Sequence, residues 1–408
     1  MSQPAVVILG GGILGCALAW RLAERGAYPG GSIALVDPHP IASQATSRAA
    51  GLLSLSRPSA KAQWIPLTRT TLRAIEALGK EGFPVPLYRC GALFLATSPA
   101  ARRALADHEA TAASSDIPCE RHAPGRFASR LPWINADRFA EALWFPDEAY
   151  TDPYLLASAY ANAARRLGVR VLTGVPTRLV SEGRRVAVET GGERLQPASV
   201  WLASGAWSAE LLRPLEIQVP QAAVRSHYWI TAPTSSAPSD MPIVLAPDIR
   251  LYARREIGAI LFGLREAQGV AVSGKGLPAD LGEFVFDASD RSGHATLEMY
   301  ASALARFAPG LMRTGLAHYV AGPSCYTPDG DFVVGRIPEW TNLCLLTGCN
   351  GAGIAVSAGL ADVAVDCELG REGEALARYA PSRFGTFDAD TPEWIARCIA
   401  ARAGKTSG

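Results

Sequence analysis

The clearest pattern in the chain lies at its beginning. A four-residue apolar run, Val6-Val7-Ile8-Leu9, meets a glycine cluster, Gly10-Gly11-Gly12-Ile13-Leu14-Gly15. A short β-branched run bounded by a turn signal reads as a buried strand. The residues after it, 16–25, are apolar on a helical spacing and close on Gly26. A second apolar run, Ile33-Ala34-Leu35-Val36, ends on Asp37. Strand, turn, helix and strand in this order predict a parallel βαβ unit.

Behind this unit the pattern alternates between the two periods. Positions 67–78 repeat with a helical spacing. Between 84 and 144 the pattern is mixed, with a strand at 92–95 and a helix at 99–108. Asp152-Pro153 opens an amphipathic helix over 154–167, followed by strands at 169–172, 177–181 and 186–190. From residue 215 the chain turns to strands, at 225–231, at 242–244 and around turns within 249–262. A helix at 296–307 follows. A strand ending at Thr347 then feeds a glycine-rich turn and a helix over 355–367. Thr391-Pro392-Glu393 caps a last helix in an otherwise polar tail.

Composition changes this picture little. With 408 residues, 49% apolar and 19% charged, the chain can bury one large core or two medium ones. Thirty-nine basic against thirty-eight acidic residues leave a net charge of +1, so no nucleic-acid partner is expected. No apolar run reaches about 18 residues, so no integral membrane segment is expected. No charged leader precedes the first strand, so no signal peptide is expected either. Cys16, Cys90, Cys119, Cys325, Cys344, Cys349, Cys367 and Cys398 are scattered, and the six histidines show no ligand spacing. The expectation is no metal, reduced core thiols and a cytoplasmic location.

The glycine cluster carries the first chemistry. It fits G-x-G-x-x-G: Gly10 for the tight turn, Gly12 for close approach to a pyrophosphate, Gly15 for helix–strand packing. The helix N-terminus offers unpaired N–H groups and a positive dipole end to phosphates. Asp37, at the end of the second strand, is placed to accept hydrogen bonds from a ribose diol, and an acid there argues against a 2′-phosphate. The fingerprint by itself does not separate NAD from FAD.

The following segment, Ala42-Ser43-Gln44-Ala45-Thr46-Ser47-Arg48-Ala49-Ala50-Gly51-Leu52-Leu53, is small and rich in hydroxyls. Together with the fingerprint it resembles the D-amino-acid oxidase superfamily of FAD enzymes, which includes glycine oxidase, sarcosine oxidase and dimethylglycine dehydrogenase. Three later stretches extend the resemblance to residues 6–367: Val200 to Trp207, the T-P-D-G of Thr327-Pro328-Asp329-Gly330, and Gly348-Cys349-Asn350-Gly351-Ala352-Gly353-Ile354. It implies an α/β (α+β) fold, a Rossmann-like FAD-binding domain interleaved with a mostly antiparallel β substrate domain. The FAD domain is expected over 1–83, 147–214 and 319–372, the substrate domain over 84–146 and 215–318, and a tail with a helix over 373–408. It also implies FAD contacts from Ile13, Leu14, Pro38, Ser43, Thr46, Ser47, Ala50, Gly51 and Leu52, with Arg48 near the isoalloxazine. Further contacts are implied from Thr177, from Ser204, Gly205 and Trp207, and from Gly348, Asn350, Gly351, Ala352, Gly353 and Ile354.

Residues 227–263 are similar to the oxidase part of dimethylglycine and sarcosine dehydrogenases. His227 stands out as an acid–base group, with Tyr252 and Arg254 placed to orient a substrate, Arg254 through its carboxylate. The chain departs from family patterns in four places. Ser324 stands where glycine-oxidase-like members have a carboxylate-binding arginine. Arg48 stands where a histidine would tether FAD. Cys325 is shifted by two residues from a tethering cysteine, so FAD is expected to be non-covalent. Leu261 takes the place of an oxygen-activating lysine, which predicts slow reaction with O2 and transfer to a quinone or partner protein. The chain also stops where dimethylglycine-type dehydrogenases continue into a folate-binding domain, so no folate coupling is expected. The expected function is FAD-dependent oxidation of the C–N bond of a small amine or N-substituted amino acid. The rivals are oxidation of a D-amino acid or cyclic amino acid, and a flavin-binding subunit of a larger dehydrogenase complex.

Overall fold

Val6–Leu9 lies inside a six-stranded sheet with the order Val333–Arg336, Leu343–Thr347, Ser199–Leu202, Val6–Leu9, Ile33–Asp37, Arg170–Thr173. The computed structural model describes residues 3–29, 31–272 and 276–405. Val6 is opposite Ile33 on one side and Ser199 on the other, and every pairing is parallel except that of Val333–Arg336 with Leu343–Thr347. Val6 and Ile8 pack beneath the helices Ile13–Glu24, Ile65–Lys80, Pro153–Arg166 and Gly353–Glu368. Val7 and Leu9 pack on the other face with Leu179, Val186, Val188 and Leu195, which belong to a three-stranded meander. Cover on both faces explains why this strand is apolar throughout rather than alternating.

The second sheet has nine strands. The long strand Ala222–Thr231 pairs on one side with Leu316–Tyr326 along its length, and on the other with Ala259–Leu264 and Ala271–Val272. Beyond Ala259–Leu264 come Leu251–Glu256, Ile243–Ala246, Ala92–Ala96, Glu141–Phe145 and Glu120–His122. Among the described residues only Ile243–Ala246 against Ala92–Ala96 is parallel in this sheet. One face carries its own core, in which Trp229, Ile260, Phe262 and Leu264 meet Leu304 and Phe307 of the helix His294–Phe307 and Leu311 of the short helix Pro309–Arg313. The α/β class with a parallel and a largely antiparallel sheet is as expected.

The structure corrects some boundaries. Leu316–Tyr326 is a strand of the second sheet, so residues 319–326 belong with the substrate domain and not with the FAD domain. The helix expected over 99–108 runs Pro99–Ser114, capped by Ser98, whose hydroxyl accepts from Ala101 N. The tail, expected to carry a helix, packs on the second sheet. Thr391 caps the helix Pro392–Ala403 by accepting from Trp394 N, and Trp394 and Cys398 are buried against Ala222, Val224 and Tyr326. Among the described residues no helix is long and apolar enough to cross a membrane.

Candidate functional site

The loop that ends the first strand forms one wall of a cavity of about 790 Å³ lined by residues from both sheets. Its three fingerprint glycines do different things. Gly10 has φ +119°, and a Cβ on it would lie 2.6 Å from the Ala203 carbonyl carbon. A Cβ on Gly15 would lie 1.9 Å from the Gly10 oxygen, so this glycine permits the helix to sit on the turn and does not line the cavity. At Gly12 the nearest protein atom to such a Cβ is Thr46 Oγ1 at 3.3 Å. A Cβ here would press on Thr46 Oγ1 by only a few tenths of an ångström and meet no backbone, and Gly12 lines the cavity. Thr46 Oγ1 accepts from Ile13 N at 3.0 Å and so fixes the start of the helix. The Asp37 carboxylate accepts from Gly11 N at 2.5 Å and His39 N at 2.7 Å. Burial raises its pKa, and these two donors oppose the shift.

Most of the expected cofactor residues meet here. Gly10, Gly12, Ile13, Leu14, Asp37, Pro38, Ser43, Thr46, Arg48, Ala50, Gly51, Leu52, Thr177, Ser204, Gly205, Trp207, Gly351, Ala352, Gly353 and Ile354 line one continuous surface. Besides Gly15, three others do not. The Ser47 hydroxyl turns back to the carbonyls of Ser43 and Gln44. Asn350, at φ +48°, accepts from Thr327 N and donates to Asp331 O and Gly348 O, which ties the turn together from behind. Gly348 gives its N–H to Gln221. These residues shape the wall without belonging to it.

The expected catalytic set is rearranged. His227 reaches the cavity wall, but its side chain is buried and both ring nitrogens are used. Nε2 is 3.2 Å from Leu264 O, which can only accept, so Nε2 carries the proton. Nδ1 then accepts from the Tyr319 hydroxyl at 3.0 Å. Burial pushes its pKa down to about 4, against the nearby Glu266. The geometry therefore does not offer His227 to a substrate as an acid–base group. Arg254 is not at the cavity. Its Nε donates to Ala50 O at 2.6 Å, Nη1 reaches Arg255 O and Glu256, and the guanidinium lies over Tyr150. It is a strut between the second sheet and the cofactor loop, not a carboxylate clamp. Tyr252 does line the cavity. Its hydroxyl donates to His227 O at 3.2 Å, leaving lone pairs to accept, and burial pushes its pKa up to about 12.

Leu261 is buried beside Arg254 across the strand pair and is absent from the cavity lining. Cationic side chains do line it: Arg48, Arg213, Arg265, Arg402 and Lys405, against the carboxylates Asp37 and Glu210. The expectation of slow reaction with O2 rested on an uncharged site at Leu261, and this geometry removes that basis. Arg265 could have been found from the strand pattern, since it follows Gly263 by two and so shares its face. Arg402 and Lys405 could not, because nothing in a polar tail says where its helix docks.

These residues suit FAD: an apolar trough, a glycine where a Cβ would intrude, a helix N-terminus at Ile13 and an acid at the end of the second strand. A family model described as FAD dependent oxidoreductase (DAO) matches residues 5–367. The chain belongs to this family. It is 28% identical over 407 residues to mouse mitochondrial sarcosine dehydrogenase, covering 97% of this chain and 43% of that protein. It is 27% identical over 364 residues to the mouse mitochondrial pyruvate dehydrogenase phosphatase regulatory subunit, covering 88% of this chain and 40% of that one. The chain thus spans less than half the length of these relatives. L-proline dehydrogenase from P. horikoshii shares the fold, with a TM-score of 0.79 and 18% identity over 94% of this chain and 98% of the other. The cofactor of this DAO-family chain is FAD.

Proposed function

We propose that this chain oxidises the C–N bond of a small N-substituted amino acid, with FAD held non-covalently. The observation that carries the reading is the continuity of the cavity. One surface runs from the glycine loop past Gly51 to Tyr252 and the cationic side chains of the second sheet and tail. Bound FAD supplies the acceptor for a hydride from the carbon next to the amine nitrogen. The chain's own residues hold the substrate. Tyr252, kept protonated, accepts an N–H of the amine on its hydroxyl oxygen, and the cations balance a carboxylate. Ala206, Cys325 and Ile354 keep the wall apolar and dry, which strengthens these contacts. The non-covalent reading is supported by Arg48 at the tethering position and by burial, which pushes the Cys325 thiol well above its ordinary pKa and so leaves it a poor nucleophile.

The test is dye-linked turnover of the FAD-loaded protein over a panel of N-methyl amino acids, amino alcohols and D-amino acids, with the released carbonyl compound identified. An aldehyde together with the demethylated amine supports the proposal, and a 2-oxo acid from a D-amino acid defeats it. One other reading has an observation behind it, the resemblance to a phosphatase regulatory subunit. In that case the chain binds FAD but turns over no amine.

A further inference from the structure

The C-terminal helix was assigned no role by the sequence, yet it ends inside the candidate site. Trp394 and Cys398 hold Pro392–Ala403 against the second sheet, and its last turn brings Arg402 and then Lys405 to the cavity. Arg402 is pinned there by Glu266, at 2.8 Å, and Glu266 also holds Arg225 at 2.6 Å. Arg265 Nη1 donates to the Lys405 carbonyl at 3.0 Å. The Lys405 ammonium donates to Gly351 O at 2.8 Å, on the glycine-rich turn of the cofactor wall. Its side chain thus bridges the second sheet's tail helix and the flavin wall. An ammonium has three donors, and among the described residues the partner here is a carbonyl, with no carboxylate in ion-pair range.

We propose that Lys405 is a specificity-determining residue that anchors the carboxylate of an amino-acid substrate. This rests on the reading of the cavity as an amine-oxidising site and names the part of the substrate it selects. The argument is one of charge. Lys405 stands in a half-buried corner with Arg57, Arg265 and Arg402 around it, and Cys349 and Tyr326 are its other titratable neighbours. Glu266 is engaged by Arg402 and Arg225, while Asp37 sits at the glycine loop and Glu210 on the short helix after Trp207. A carboxylate is the ligand that such a corner gains most from admitting, and its second oxygen can meet a further N–H of Lys405. Burial and these cations push the Lys405 pKa well down. A carboxylate favours the charged lysine, so its binding draws in a proton and weakens as pH rises.

The experiment uses the FAD-loaded full chain and Lys405→Met and Lys405→Arg variants. Propionate, which cannot be oxidised as an amine, is titrated while the flavin absorbance and the proton uptake in weak buffer are followed. Wild type should bind propionate with proton uptake. Lys405→Met should lose about 10- to 100-fold in affinity and lose the uptake, and Lys405→Arg should restore most of the affinity. In turnover, the preference of Lys405→Met for an N-methyl amino acid over its amide should fall by the same factor. Equal propionate binding in wild type and Lys405→Met, or equal losses for acid and amide, overturns the proposal. If no amine reduces the flavin while propionate still binds through Lys405, the anion site stands and the amine-oxidase reading falls.

Discussion

Gly12 separates folding from cofactor binding at a single Cα. Its backbone is at φ −75°, open to any residue, and the nearest protein atom to its Cβ position is Thr46 Oγ1. Gly12→Val is therefore expected to give a folded protein, with circular dichroism and hydrodynamic size like wild type, that purifies without flavin. Gly15→Val has no such freedom, with a Cβ at 1.9 Å from Gly10 O, and should yield little soluble protein. A yellow Gly12→Val protein would contradict the placement of the pyrophosphate. His227 gives a second prediction. Its folded pKa of about 4 lies below the ordinary 6.5, so the folded state binds fewer protons between these values. Stability contributed by the neutral ring is complete above pH 6.5 and is lost as pH falls towards 4, by up to about 3 kcal/mol at about 1.4 kcal/mol per unit. The buried His108, also lowered to about 4, adds in the same direction. The melting temperature measured at fixed FAD excess should drop from pH 7 to pH 5, and His227→Gln should flatten that slope. An unchanged slope would show that His227 is not held neutral. The role of Gly12 was legible in the sequence because the motif has a fixed local geometry. The role of His227 was not, because its partners Tyr319, Leu264 and Glu266 come from segments remote in sequence.

At the scale of elements, many strands, most long helices and the glycine turns could be read from period and punctuation, while Glu120–His122, Glu141–Phe145, Leu316–Tyr326 and Val333–Arg336 were not read as strands. What could not be read was register. Arg254 looks like a substrate clamp in a Y-x-R strand, but pairing places it opposite Leu261, with its guanidinium on Ala50 O and Glu256. Arg254→Met leaves a buried carbonyl and a carboxylate without their donor, and should cost about 2–4 kcal/mol. Urea unfolding of the FAD-loaded protein checks this. A loss of preference for carboxylate substrates at unchanged stability would contradict it. The docking of the tail could not be read for a similar reason. Its cap at Thr391 was visible, but the docking of Trp394 and Cys398 on Ala222, Val224 and Tyr326 is a contact between segments remote in sequence.

For the whole molecule, the two sheets share a core, in which Phe94, Phe145 and Leu245 of the second join the cluster of Val6 and Ile8 of the first, and both sheets line the cavity; the chain crosses between them several times. The interleaving was legible because the family-like motifs recur from residue 6 to residue 367. The exact crossing after residue 318 was not, since an eleven-residue strand has no local mark of which sheet it joins. The proposal that FAD is held without a covalent bond is tested on this shared cavity. Acid precipitation should leave the flavin in the supernatant, and a yellow pellet would show a tether, with Cys349 at the cavity wall the residue to examine. The central claim is that this cavity brings an amine to FAD in position to react. The most direct measurement is anaerobic mixing of the FAD-loaded protein with N-substituted amino acids while the visible absorbance of oxidised flavin is followed. The account predicts bleaching by at least one of them at a rate that saturates with concentration. Fully loaded protein whose flavin stays oxidised with every amine and amino acid tried would contradict it.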